Sequence, residues 1–150
     1  MKKQKWISGL IAVVAGIVLL MSSSGDALAA SLVGTYKNPG AGATLEISSA
    51  NDSTGVFHGH MTIQEPAAVR VYFRVTGEYS FTGGGHVGDP TAIVFEGIVR
   101  DPSLTYAHAI AGAGNTKAYE YNKINLGGAY VSVGPSHVVK YSIGGIYNRQ

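Results

Sequence analysis

Between Val69 and Phe81 the chain reads VRVYFRVTGEYSF. Val69, Val71, Phe73, Val75, Gly77, Tyr79 and Phe81 fall on one parity; Arg70, Tyr72, Arg74, Thr76, Glu78 and Ser80 fall on the other. Successive side chains of a strand point to opposite faces, so this alternation describes a strand with one face buried and one wet. The same reading applies to Thr91, Ile93, Phe95, Gly97 and Val99 against Ala92, Val94, Glu96, Ile98 and Arg100. It holds in shorter form for Leu45 and Ile47, and for Phe57, Met61 and Ile63 across Gly59.

Working outward, strand-like runs are expected near 32–38, 43–49, 55–65, 68–82, 91–101, 104–111, 116–124 and 137–147. Turn chemistry separates them: Asn38-Pro39-Gly40, Asn51 to Gly55, Thr82 to Pro90, Gly112-Ala113-Gly114-Asn115 and Gly134-Pro135. No stretch after the first thirty residues carries a helical stripe. The expected fold is therefore all-β, an eight-stranded antiparallel up-and-down barrel, which leaves no exposed edge and encloses room for side chains or one small ligand. Glycines inside strands, such as Gly59, Gly77, Gly97 and Gly144-Gly145, suit the coiling of a small barrel.

Residues 1–29 read as a cleaved signal peptide: the basic start Met1 to Trp6, an apolar run from Ile7 to Met21, and Ala27-Leu28-Ala29 as the cleavage pattern. The run is shorter than the ~20 residues of a spanning helix. The expectation is a secreted or periplasmic domain of residues 30–150. Lys2, Lys3, Lys5 and Asp26 leave with the leader, so of 11 basic and 9 acidic side chains eight of each remain. That balance argues against nucleic acid or an anionic membrane as partner. There is no cysteine, so stability rests on packing and on association between copies.

Several clusters invite chemistry. His58-Gly59-His60 places two imidazoles on one strand face, where His86 or His108 can add a third ligand, but the periodicity assigns them to the polar exterior and no metal or other cofactor is expected. Glu78 and Glu96 form a candidate acid–base pair only if they point inward, against their parity. Ser136-His137 sends its side chains to opposite faces, and Gly83 to Pro90 lacks the following helix of a phosphate loop. Tyr106, Tyr119, Tyr121, Tyr130, Tyr141 and Tyr147 concentrate in the C-terminal half, where they can line a pocket or a subunit interface.

Ser31 to Met61 reads SLVGTYKNPGAGATLEISSANDSTGVFHGHM. Its Ser-Leu-x-Gly-x-aromatic-x-Asn start and its Asn-x-x-x-Gly-x-Phe-x-Gly continuation resemble the first three strands of the avidin and streptavidin family. Phe73-Arg74-Val75, Thr91 to Gly97 and Ile146 to Arg149 resemble later strands more loosely. The resemblance implies a pocket at one end of the barrel, C-terminal strands that build an oligomer, and no enzymatic activity. Asn38 matches a ligand-donating Asn and Phe95 a retained aromatic. A first-loop Ser falls near Ala43, a clamp Tyr at Met61, and Tyr119 or Tyr121 near a wall ring. The ligand-binding expectation thus comprises Asn38, Ala43, Met61, Phe95, Tyr119 and Tyr121, with biotin or another small molecule held noncovalently and without the family's dense oxygen clamp. Two alternatives stay open: a secreted structural or interaction oligomer, and a barrel enzyme of the allene oxide cyclase or dirigent sort with its titratable groups inside.

Overall fold

The computed structural model describes residues 31–64, 70–82, 86–99, 106–136 and 138–150; the leader and its cleavage site lie outside them. The strands are β1 Gly34–Asn38, β2 Ala43–Asn51, β3 Val56–Gln64, β4 Arg70–Phe81, β5 Pro90–Val99, β6 Ala107–Lys117, β7 Lys123–Val133, β8 Val138–Ser142 and β9 Gly145–Arg149. Each pairs antiparallel with its chain neighbour from β1 to β8. β8 and β9 share one barrel position: β8 runs beside Ala129–Val133 of β7, and β9 beside Lys123–Leu126. β9 then pairs with β1, which closes an eight-stranded up-and-down barrel.

The stretch that decides the class behaves as its period demands. Val71, Phe73, Val75 and Tyr79 are buried, whereas Tyr72, Arg74, Thr76 and Glu78 are exposed. β5 repeats the pattern with Thr91, Ile93 and Phe95 inside. The inward faces meet in one core that includes Tyr36, Leu45, Ile47, Phe57, Met61, Ile124, Tyr130 and Tyr147.

Two expectations are corrected in the C-terminal half. Gly112 to Asn115 is not a turn but the continuous interior of β6, paired residue for residue with β5 and β7. The true turn lies at Ala118–Asn122, inside the stretch expected to be a strand, and most of β7 falls at 125–133, which no expected strand covers. The last strand is broken in two between Ser142 and Gly145, where the sequence pattern suggests one run.

Glycines explain how the sheet coils so tightly. The Phe57 ring lies where a side chain on Gly77 would stand, and a Cβ on Gly112 would sit 2.6 Å from Cε1 of Phe95. Each ring occupies the gap that a cross-strand glycine leaves. Gly59 instead lets the Glu46 carbonyl come close, beside a bulge where the β2–β3 register shifts between Ile47 and Ser49.

Gly77→Ala therefore forces a methyl into the Phe57 ring and the Val94 carbonyl. The expected loss is about 1–3 kcal/mol, the usual cost of overpacking, read as a lower urea midpoint with unchanged slope. The same substitution at exposed Gly127, where the nearest atom is 3.9 Å away, is expected to cost far less.

Candidate functional site

The barrel has two chemically different ends. The lower end carries the turns after β2, β4 and β6; the upper end carries the turn at Pro39–Gly42 and the connection after β7.

The lower end is filled with rings. Phe81 stacks on Tyr119 at 5.5 Å, Tyr119 meets Tyr121 at 6.3 Å, and Tyr79 meets Phe81 edge-on at 5.5 Å. Tyr119 and Tyr121 take left-handed backbone conformations, φ 58° and 38°, so this turn is made by ring packing where glycine would be the ordinary choice. Backbone bonds from Gly88 to the Ala118 carbonyl (2.9 Å) and from Ala118 to the Asp89 carbonyl (2.8 Å) tie it to the neighbouring turn.

The phenols here are held neutral. The Tyr36 hydroxyl donates to the Leu32 carbonyl at 2.8 Å, and the Tyr79 hydroxyl to the Asp52 carboxylate. Burial pushes Tyr36 up to about 12, with the Arg149 guanidinium opposing it slightly. Burial also pushes Tyr121 up to about 12; its hydroxyl has no hydrogen-bond partner among the described residues. Tyr79 is raised further, by burial and then by its bond to Asp52; outside this end, beside Asn38, Tyr147 is raised by burial, which the Asn38 side chain opposes.

The upper end has rings of its own, Tyr130 stacked on Tyr141 at 4.7 Å and 5.8 Å from Phe73, and buries polar groups beside them. Asn38, His108 and Ser132 are all buried, at 7%, 9% and 8% exposure. Asn38 is already committed: its amide nitrogen donates to the Gly144 carbonyl at 3.3 Å, and its oxygen accepts from the Ala41 backbone at 3.2 Å. His108 is not. It points inward from the upper end of β6, paired with Val99 on β5 and Ser132 on β7. Its Nδ1 is buried without a hydrogen-bond partner among the described residues.

The six ligand residues expected from the sequence are spread along the barrel. Asn38 and Ala43 face each other in the register at the upper end. Met61 and Phe95 are buried at mid-height, paired with Leu45 and Gly112 respectively. Tyr119 and Tyr121 belong to the lower turn, so they do not join Asn38. His108 was weighed in the sequence only as a third metal ligand, although the alternation Ala107, His108, Ala109, Ile110, Ala111 already places it on the inward face of Ile110.

Outside the barrel, Glu78 and Glu96 are exposed on the rim of a groove of about 640 Å³ over β4 to β7. They form no pair inside it. The His58 imidazole shares a 3.2 Å hydrogen bond with Thr76 on the exterior, and no group of three or more metal-ligating side chains gathers among the described residues. Compared with protein-family models, with curated proteins and with solved structures, the chain matches none.

The tyrosines set a test of the filled end. A phenol whose folded pKa lies above its ordinary 10.0 contributes stability that is complete below pH 10 and is lost as pH rises toward 12. Each such group costs about 1.4 kcal/mol per pH unit in that window. Phenolate absorbance of the buried tyrosines is expected to appear together with loss of the fold between pH 10 and 12. Smooth titration near pH 10, with the fold intact, would contradict the packing described.

Proposed function

We propose that this chain is an exported barrel that binds a small molecule at its upper end, noncovalently. The observation that carries the reading is the polar content of the upper end. Rings are packed at both ends, but the upper one also buries Asn38, His108 and Ser132, and His108 keeps an unpartnered ring nitrogen. An unpaired buried polar atom costs about 1–3 kcal/mol, a cost that a ligand hydrogen bond removes. Biotin is the ligand the avidin resemblance suggests. Asn38 and Phe95 support it, but the Asn38 amide is bonded to Gly144, and Ala43 and Met61 offer no hydroxyl. A biotin complex must therefore break or share that bond, and weak affinity is the expectation.

Thermal melting with biotin and with a panel of small aromatic and apolar acids, amides and alcohols tests this. A ligand that binds only the folded state adds about 2.7 kcal/mol at a hundredfold excess over its Kd, a shift of several degrees for a domain of this size. At least one panel member is expected to raise the midpoint; a panel without effect contradicts the proposal.

A second reading, that copies associate through the barrel exterior, rests on a separate observation. The outward residues of β6 and β7 between Ala107 and Ala113 and between Gly127 and Val133 are small or apolar and uncharged: Ala107, Ala109, Ala111, Ala113, Gly127, Ala129, Val131 and Val133. On β5, Val94 and Ile98 extend the surface, 49% and 58% exposed. Contiguous apolar surface of this kind marks an association site. Sedimentation equilibrium is expected to give an oligomer for the parent and a smaller species for Ala111→Arg; a monomeric parent removes this reading.

A further inference from the structure

The proposed ligand site says more about its ligand than that one is bound. Among the described residues, His108 is the only buried side chain, tyrosines aside, that can carry charge; every Asp, Glu, Lys and Arg is outside the buried set. An imidazole in that position has two chemical needs. The unpartnered Nδ1 requires a hydrogen-bonding group, and a buried donor is bonded most strongly by a charged acceptor.

The surroundings meet the apolar half of those needs and leave the polar half open. The Phe73 ring presents to His108 edge-on, with centroids 6.5 Å apart and planes at 90°. Tyr106 lies 6.4 Å away at 41°, over Gly134, where a side chain would collide with its ring. Tyr130 extends the aromatic wall, 5.8 Å from Phe73. Across the β6–β7 ladder Ser132 is the direct partner of His108 on the same inward face, at the distance of a cross-strand pair, with a hydroxyl that can donate. The groups facing His108 are thus Phe73 from β4, Val99 from β5, Tyr130 and Ser132 from β7, and Tyr106 from the approach to β6. None is an anion.

We infer that the upper end of the barrel takes a carboxylate carried on a flat aromatic body, with the carboxylate on His108 and Ser132 and the rings against Tyr106, the exposed ring beside them. The carboxylate supplies the charge and the acceptor that no described residue supplies. Two oxygens meet two donors from adjacent strands, and the aromatic body is held by ring edges and faces. A primary amide can bond Nδ1 and Ser132 through its N–H and its carbonyl but brings no charge to either bond, so it binds less well. This inference rests on the small-ligand reading above, and its test separates the two.

The probes are 2-naphthoate and its isostere 2-naphthamide, titrated against the full exported protein, against His108→Leu, and against His58→Ala as a control on the exterior. A hydrogen bond to a charged group contributes about 1.5–3 kcal/mol, or about tenfold and more in affinity. Naphthoate is expected to bind the parent at least about tenfold more tightly than naphthamide. That preference is expected to vanish in His108→Leu and to persist in His58→Ala. Should His108→Leu fail to fold, the ring nitrogen shifts of His108 in the parent give the same answer: they change at a lower concentration of naphthoate than of naphthamide. Equal binding of acid and amide, or a preference that survives His108→Leu, overturns the inference while the barrel remains a ligand binder. The same holds if neither naphthalene binds but another panel member does. If no panel member binds, the ligand-binding reading falls and the carboxylate site with it.

Discussion

Closure at the β1–β9 seam is the constraint on which the rest of the barrel depends. Elsewhere adjacent strands share long ladders, but here only Tyr36 with Arg149 and Lys37 with Asn148 are paired. So short a ladder cannot by itself hold a cylinder shut. Side chains make up the difference. The Arg149 guanidinium donates to the Ser31 and Val33 carbonyls at 3.1 and 2.7 Å and sits 5.9 Å from the centre of the Tyr36 ring, where a cation is attracted to the ring face. The Gln150 backbone donates to the Thr35 carbonyl at 3.0 Å. At the other end of the seam, Asn38 bridges to the Gly144 carbonyl and so pins the break between β8 and β9. Gly145, at φ 138°, leaves room for that amide: a Cβ there would sit 2.5 Å from its nitrogen. The Asn that family resemblance assigns to a ligand is thereby part of the closure, and a ligand that takes it competes with the fold.

Once closed, a barrel of eight strands must fill its own interior. This chain does so with rings along its whole length. Glycines opposite Phe57 and Phe95 allow rings to lie across the sheet at mid-height, and the lower end is packed by phenols, of which Tyr36 and Tyr79 reach the Leu32 carbonyl and Asp52. At the upper end Tyr130 stacks on Tyr141 at 4.7 Å and lies 5.8 Å from Phe73. What distinguishes that end is the polar content beside its rings, Asn38, His108 and Ser132.

Much of this was legible in the sequence, and the failures have physical reasons. The alternation in β4 and β5 could be read directly because bulky residues mark the inward face and charged ones the outward face. In the middle of β6 both faces are small, so Gly112 to Asn115 carries the composition of a turn while forming a strand. Its glycines serve the close approach of the Phe95 ring and the Asn125 carbonyl, information held by the partner strands and not by the segment itself. The converse holds at Ala118–Asn122, a turn with neither glycine nor proline, built on Tyr119 and Tyr121 in conformations that residue type disfavours. The site was harder still. Asn38 could be named from a motif, but its commitment to Gly144 is a contact across 106 positions. The burial of His108 was readable from parity alone, yet its lack of a partner depends on all the strands that surround it.

The two ends are energetically linked through this arrangement. Tyr119 and Tyr121 in the left-handed region cost of order 1–3 kcal/mol each, and unpartnered His108 and Tyr121 atoms add about 1–3 kcal/mol apiece. Against a typical net stability of 5–15 kcal/mol, these are large terms, and a chain without disulfides must offset them by packing. The stacked and edge-on rings of the lower end supply such packing locally, so the strain of the turn is balanced where it arises. His108 has no comparable compensation beside it: its ring neighbours bury it but do not bond it. The cost at the lower end is therefore structural, contained within the packing that makes the turn. The cost at the upper end stays open, and a group that brings both an acceptor and a charge to His108 recovers it.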